Sequence, residues 1–197
     1  MNPRNYVAVV SGMPRSGTSL MMQMLNSGGL PVLTDNSRAP DTHNPRGYFE
    51  YEPVKHLGRD ASWIGLARGK AVKIIYRLLR YLPPELEYRV IFVERELTDV
   101  FASQQDMLRA RGDAAADQDE KRIIAAFQAE ISEARAWLAA QPNMHTMYAP
   151  YGEIIANPEK WAGELSRFLD GLDTAAMAAS VDPRLRHHRI PSPALLS

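Results

Sequence analysis

The protein is a chain of 197 residues in which 23 Lys and Arg side chains balance 23 Asp and Glu side chains. This length fits one globular domain, since domains commonly contain roughly 100–200 residues. Zero net charge gives the chain as a whole no electrostatic footprint for nucleic acid or an anionic membrane. The absence of cysteine excludes disulfides, thiolate metal sites and cysteine nucleophiles.

The first apolar run covers residues 6–11, YVAVVS, and leads directly into a glycine-rich turn. Short β-branched runs of this kind are typical of a central parallel strand that is covered on both faces. A signal peptide needs a longer apolar region and a small-residue cleavage site, and a membrane span needs about 18 apolar residues. We therefore expect the first strand of a cytoplasmic enzyme here.

Strand and helix patterns then alternate along the chain. Further strands are expected at 71–75, 89–93 and 144–148. Helices are expected at 18–26, 52–67, 76–82, 98–110 with Thr98 as N-cap, 119–140, 158–169 and 174–180. This alternation predicts a three-layer α/β/α fold with a central parallel sheet, which is related to the P-loop nucleotide-binding folds. We expect a single domain over 1–180 and a basic, partly flexible tail over 181–197.

The turn after the first strand has the spacing of a phosphate-binding loop. Residues 12–19 read GMPRSGTS, which matches G-x-x-x-x-G-K-[ST] except that Thr18 stands in place of Lys. Glycines let successive N–H groups face one point, and the following helix adds its positive end. The turn is therefore predicted to hold a phosphate- or sulfate-like anion, with Arg15, Ser16, Thr18 and Ser19 as further donors.

The missing Lys bears on the choice between nucleotide chemistries. A P-loop NTPase places that Lys on the β- and γ-phosphates and holds Mg²⁺ with an acid at another strand end. Here the strand at 89–93 is followed by Glu94 and Arg95, so a cation accompanies the acid. This pattern favours an anionic ligand handled without a metal. A P-loop kinase or NTPase, a non-catalytic nucleotide-binding module and a plain turn remain as alternatives.

The sequence PRSGTS after a strand resembles the 5′-phosphosulfate loop of sulfotransferases that use 3′-phosphoadenosine 5′-phosphosulfate (PAPS). The resemblance implies that Arg15 holds the 5′-phosphosulfate and stabilises charge on the bridging oxygen as the sulfuryl group leaves. The cofactor-binding residues that it implies in this turn are Gly12, Pro14, Arg15, Ser16, Gly17, Thr18 and Ser19.

A second segment, R-x-x-x-D-x-x-x-S from Arg95 to Ser103, also resembles this family, in which an Arg and a Ser at this spacing bind the 3′-phosphate of PAPS. Arg95 follows a strand and Ser103 lies in the second turn of the next helix, so both are expected to face one phosphate. Asp99 between them is expected to act on the helix dipole or as a cap.

Weaker similarities extend the resemblance from about residue 7 to 169. Residues 151–159, YGEIIANPE, resemble Y-E-D-L-x-x-x-P-E with Glu153 in place of Asp, and residues 44–50, NPRGYFE, resemble N-P-x-G-Y-F-E. The G-x-x-G-x-W segment of many eukaryotic members is not found. Arg184, Arg186 and Arg189 in the tail either substitute as 3′-phosphate ligands or form a solvated basic surface.

Sulfuryl transfer needs a group that accepts the proton of the acceptor. The candidate bases are Glu50, which ends the segment expected over the cofactor, then His56 and His43. Lys73 follows a strand pattern where related enzymes often carry a Lys, and it is either a second electrophile or an exposed lysine. The chemistry requires no metal, and we predict none.

The acceptor is expected to be a small molecule with a hydroxyl or amine, because nothing in the sequence indicates a nucleic-acid or membrane partner. Its identity and the oligomeric state remain open. Four side chains are candidates for the acceptor pocket: Tyr48, Phe49, Trp63 and Met107.

Overall fold

The structure is a computed structural model that describes residues 4–35, 47–110, 119–182 and 184. The described strands are β1 (Val7–Gly12), β2 (Ala71–Lys73), β3 (Tyr88–Glu94) and β4 (Met144–Pro150). They form one parallel sheet in the order β2-β1-β3-β4. Every residue of β1 is buried, as the continuous apolar run predicts for a strand covered on both faces.

The α-helices are α1 (Thr18–Ser27), α2 (Leu97–Ala110), α3 (Glu120–Ala139), α4 (Tyr151–Ala156), α5 (Pro158–Phe168) and α6 (Thr174–Ala179). Two apolar cores separate them into layers. Helices α1, α4, α5 and α6 pack on the face of the sheet that carries Ala8 and Val10. Helices α2 and α3 pack on the face that carries Val7 and Val9. This arrangement confirms the predicted three-layer fold.

The predicted helix over 52–67 is wrong in type. The chain forms two 3-10 helices instead, Glu52–His56 and Ser62–Ala67, and a third spans Tyr76–Tyr81 where a helix was predicted over 76–82. Pro53 removes a backbone donor, and Gly58 lies in the break between the two 3-10 helices, so a continuous α-helix is not sustained.

Two helix boundaries also differ from the sequence prediction. Helix α2 begins at Leu97 and Val100 N–H already bonds to Glu96 O at 3.0 Å, so Thr98 lies inside the first turn and is not the N-cap. Helix α4 was not predicted as a separate element. It ends before Asn157, whose φ of −134° and ψ of 61° are not helical, and Pro158 then starts α5.

Helix α3 matches its prediction closely. Asp119 caps it by accepting hydrogen bonds from the backbone N–H groups of Lys121 at 3.1 Å and Arg122 at 3.3 Å. Its apolar stripe packs on the second core through Phe127, Ile131 and the buried Leu138. None of the described helices has the length and apolarity that crossing a membrane requires.

Replacing Leu165 tests whether the core under α5 carries the stability of the fold. Leu165 is fully buried, whereas Leu66 is 61% exposed. We expect Leu165→Ala to lower the free energy of unfolding by about 2–5 kcal/mol, because it leaves a cavity. The matched change Leu66→Ala should alter it by less than about 0.5 kcal/mol. Urea denaturation measures both, and equal effects would contradict the core assignment.

Candidate functional site

The turn between β1 and α1 folds into a tight cradle at the carboxyl end of the sheet. Three of its residues have a positive φ: Gly12 at 145°, Arg15 at 72° and Gly17 at 106°. The N–H of Ser16 bonds to the carbonyl of Met13 at 3.1 Å and closes the turn. Arg15 therefore adopts a left-handed conformation that is uncommon for residues with a side chain and that often occurs at functional sites.

Gly12 brings the turn close to the neighbouring strand. A Cβ atom at this position would lie 2.5 Å from the carbonyl oxygen of Val93 and 2.7 Å from Ser16 Oγ. Both the space and the backbone angle thus require glycine. The contact fixes the cradle against the end of β3, from which the second predicted segment starts.

The cradle retains hydrogen-bonding capacity. Ser16 is only 1% exposed, and its Oγ has no hydrogen-bond partner within the described parts of the chain. Helix α1 starts at the same place without a side-chain cap, since Gly17 occupies the N-cap position. Buried polar groups normally have partners. An anion at the positive end of α1 fits this vacant donor.

Arg15 joins the two sequence segments. Its Nε donates to Ser103 Oγ at 2.9 Å, and its carbonyl oxygen accepts from Arg95 Nη1 at 3.1 Å, across 88 and 80 residues of sequence respectively. Ser103 is 2% exposed. The structure therefore brings Arg15, Arg95 and Ser103 into one cluster, which we call the arginine cluster.

Arg95 is itself held on two sides. Its Nε lies 3.6 Å from Asp99 Oδ2, with both side chains largely buried. Its guanidinium also lies over the ring of Tyr151, 4.8 Å from the ring centroid. Asp99, expected as a dipole or cap residue, thus also forms an ion pair that orients Arg95.

Lys73 and Glu50 form a second group at the end of β2, the strand beside β1. Lys73 Nζ lies 3.8 Å from Glu50 Oε1 and donates to the carbonyl oxygen of Tyr48. The carbonyl of Glu50 accepts from Thr34 Oγ1 at 2.8 Å. Phe49, which lies between Tyr48 and Glu50 in the chain, has a φ of 51°. The backbone of residues 48–50 is therefore held in a strained conformation. Lys73 is therefore not an exposed strand lysine.

The other candidates lie apart from these groups. His56 is exposed at the end of the first 3-10 helix. Trp63 is buried in the second core, with its ring 5.1 Å from that of Tyr51, while Met107 is half-buried on α2. Arg184 pairs with Asp182 at 3.1 Å. The candidates His43, Arg186 and Arg189 lie outside the described residues.

A separate groove of about 310 Å³ lies between the third 3-10 helix and α3. Arg77 and Glu130 form an ion pair at 2.6 Å across it, and Tyr76 OH donates to the same carboxylate. Burial, together with this hydrogen bond, raises the pKa of Tyr76 to about 12. The Arg77 guanidinium lowers the pKa of Glu130.

The raised pKa of Tyr76 predicts a pH dependence. Because the folded-state pKa lies above the unfolded value near 10, the contribution of Tyr76 to stability is complete below about pH 10. It is lost as pH rises through about 12. The free energy of unfolding measured in urea should therefore fall more steeply over this range in the wild type than in Tyr76→Phe. Equal slopes would contradict the assignment.

Comparison with known proteins identifies the fold. No family model and no curated protein matches the sequence. Among solved structures, the sulfotransferase domain of the Synechococcus PCC 7002 olefin synthase matches with a TM-score of 0.57 and 13% identity, over 98% of this chain and 91% of that one. The sulfotransferase domain from the curacin biosynthetic pathway matches with a TM-score of 0.56 and 14% identity, over 95% and 93%. The chain has the sulfotransferase fold.

A mouse sulfotransferase complexed with PAP also matches, with a TM-score of 0.55 and 14% identity, over 91% of this chain and 64% of that one. These likenesses confirm the predicted P-loop-like α/β fold. At 13–14% identity these likenesses extend to the fold alone, and a shared fold does not determine the chemistry of the site.

Sequence reasoning missed two contacts of the site. Tyr151 was recognised only as part of the YGEIIANPE similarity, although an aromatic residue directly after a strand end was a usable signal. The bond between Arg15 and Ser103 joins residues assigned to different phosphates, and no local pattern reports it. Within the described ranges, no group of His, Asp and Glu side chains is arranged to hold a metal ion.

Proposed function

We propose that the protein transfers a sulfuryl group from PAPS to a hydroxyl or amine of a small acceptor. The arginine cluster is the observation that carries this proposal. One guanidinium, that of Arg15, belongs to the turn before α1, and the other, that of Arg95, follows β3. Arg15 bonds both to Arg95 and to the buried hydroxyl of Ser103. Two cationic groups on one scaffold suit a ligand with two separate phosphate positions.

The donor-binding residues follow from this arrangement. PAPS supplies a sulfuryl group that is bonded to its 5′-phosphate, and this phosphate is the leaving group when the sulfuryl group is transferred. The backbone of Gly12, Gly17, Thr18 and Ser19, the hydroxyl of Ser16 and the guanidinium of Arg15 hold the 5′ end and stabilise its negative charge. Arg95 and Ser103 hold the 3′-phosphate. Pro14 lies exposed in the turn and sets its backbone.

We propose Glu50 as the base. It lies beside Lys73 at the end of β2, and β2 pairs directly with β1, whose end forms the cradle. Glu50 accepts the proton of the acceptor, while the Lys73 ammonium orients the carboxylate and adds positive charge at the reacting centre. His56 is the second candidate for the base, although its exposed position favours Glu50.

Three side chains near the proposed base or on α2 are the proposed contacts of the acceptor. Tyr48 and Phe49 directly precede the proposed base in the chain, and Met107 lies on α2, which also carries Ser103. We propose that these residues contact the acceptor, whereas Trp63 supports the core behind Tyr51. We propose a small molecule as the acceptor and the cytoplasm as the location of the protein.

A P-loop NTPase is the competing function. It needs an acid at a strand end that is available to Mg²⁺. Glu94 stands at that position in β3, and its carboxylate is engaged by Arg135 on α3. Together with Thr18 in place of the P-loop lysine, this contact favours sulfuryl transfer.

Ligand-induced stabilisation tests the choice of donor. At 100 times its Kd a specific ligand adds about 2.7 kcal/mol to stability. That is a rise of several degrees at roughly 2–4 °C per kcal/mol. We expect this thermal shift with 3′-phosphoadenosine 5′-phosphate (PAP), and its loss in Arg15→Ala and Arg95→Ala. Arg80→Ala, which removes an exposed arginine of the groove, should keep it.

Two other outcomes of the thermal-shift measurement would contradict the proposed function. A shift with ATP and Mg²⁺ but none with PAP would replace this proposal by an NTPase. A shift with PAP without turnover of any compound in a broad acceptor panel would leave a non-catalytic nucleotide-binding module.

Glu50→Gln tests the proposed base. We expect turnover to fall about 10²–10⁴-fold, because the amide accepts no proton, while the Kd for PAP changes little. Glu52→Gln is the matched control, since Glu52 is an exposed neighbour that pairs with Lys55, and it should retain full turnover. Unchanged turnover in Glu50→Gln would exclude Glu50 and direct attention to His56.

A further inference from the structure

We propose that the groove beside α3 is the contact surface of a two-fold symmetric dimer of this chain. In this dimer the third 3-10 helix, Tyr76–Tyr81, of each copy enters the groove of the other copy. The residues of the groove take no part in the proposed function, so the dimer does not depend on sulfuryl transfer.

Aromatic side chains form the apolar part of the groove. Tyr81 lines it from the 3-10 helix and Trp137 lines it from α3. Tyr81 is 48% exposed, and a Cβ atom at Gly58 would lie 3.4 Å from its ring. The ring thus rests against the chain at Gly58 and loses little conformational freedom when a partner covers it. Tyr, Trp and Arg are also the residues that contribute most to protein interfaces.

The two walls of the groove carry opposite charges at the same spacing. Arg77 and Arg80 lie on the 3-10 helix, and Glu130 and Glu133 lie on α3. Residues three apart on an α-helix share one face, so both carboxylates point the same way from α3. Glu130 pairs with Arg77 at 2.6 Å, and Glu133 pairs with Arg80 at 3.3 Å. The groove therefore has a row of cations opposite a row of anions.

A surface with two such rows is complementary to a second copy of itself. A two-fold axis places the arginine wall of one copy against the glutamate wall of the other, and symmetry repeats the contact. The side chains of Arg80 and Glu133 are 53% and 72% exposed, so their pairing within one chain contributes little and exchanges readily for pairing between chains. This charge complementarity selects the same chain as the partner.

The shape of the surface fits the same arrangement. The 3-10 helix exposes Arg77, Arg80 and Tyr81 along one side of the groove, and the groove has a volume of about 310 Å³. A row of exposed side chains directly beside a groove lets each copy insert its row into the groove of the other. A two-fold interface needs this self-complementarity of one surface.

The groove offers little to a small polar ligand. Within the described parts of the chain, none of the side chains that line it has a buried polar atom without a hydrogen-bond partner. Both glutamates are already paired with arginines. The arginine side chains are more than half exposed, as polar groups at the rim of a protein interface are.

Sedimentation velocity of the wild type and of charge-reversed variants tests the dimer. We expect the wild type to reach twice the mass of one chain at concentrations up to about 100 µM. Arg80→Glu and Glu133→Arg each place like charges opposite one another across the interface, so each should raise the dimer Kd at least about tenfold. An equal mixture of the two variants should associate again, because each then meets the opposite charge. The double variant Arg80→Glu/Glu133→Arg should also dimerise.

Two further variants separate the groove from general surface effects. Tyr81→Ala removes the exposed ring and should raise the dimer Kd at least about tenfold. Arg167→Glu reverses one charge of an exposed ion pair on α5, on the other face of the sheet, and should leave the dimer Kd unchanged. Recovery of the dimer in the mixture also shows that both charge-reversed chains are folded.

Three results would overturn the proposal. A wild type that stays monomeric up to about 100 µM would leave the groove to a partner of another kind. A dimer that neither Arg80→Glu nor Glu133→Arg weakens would have its contact elsewhere on the surface. Weakening by both variants without recovery in their mixture would mean that the two walls do not meet across a two-fold axis.

Discussion

The left-handed conformation of Arg15 is the constraint on which the site depends. A non-glycine residue in this region costs about 1–3 kcal/mol and persists only where its surroundings hold it. Here Arg95 donates to the Arg15 carbonyl and Ser103 accepts from its guanidinium. The strain at one turn is thus offset by residues that lie 80 and 88 positions further along the chain, so the turn takes this shape only in the assembled fold.

The parallel sheet is what makes these distant contacts possible. The ends of β1, β2, β3 and β4 meet at one edge, and each is followed by a residue or turn of the site. β1 leads to the cradle, β2 carries Lys73, β3 leads to Arg95 and β4 leads to Tyr151. Ligands of open α/β sheets bind at this edge. The same edge carries the anion-binding cradle of the proposal, the Lys73–Glu50 pair and Arg95.

Much of this arrangement was predictable because its signals are local. The apolar run before Gly12 and the spacing of GMPRSGTS indicate a strand, a turn and a helix within a few residues, and the structure contains all three. The two 3-10 helices at 52–67 were predicted as one continuous helix, since side-chain patterning does not report hydrogen-bond type. The contacts of Ser103 with Arg15 and of Tyr151 with Arg95 depend on distances between strand ends, which no local pattern contains.

The most direct test of the account is a crystal structure of the protein with PAP. The account predicts the 5′-phosphate against the backbone of residues 12–19, the 3′-phosphate between Arg95 and Ser103, and Arg15 beside the 5′ end. A nucleotide bound with only its 5′-phosphate in the turn, or with Arg95 still confined to Arg15 and Asp99, would contradict the assignment of two phosphate positions. Binding outside the arginine cluster would contradict the proposed function itself.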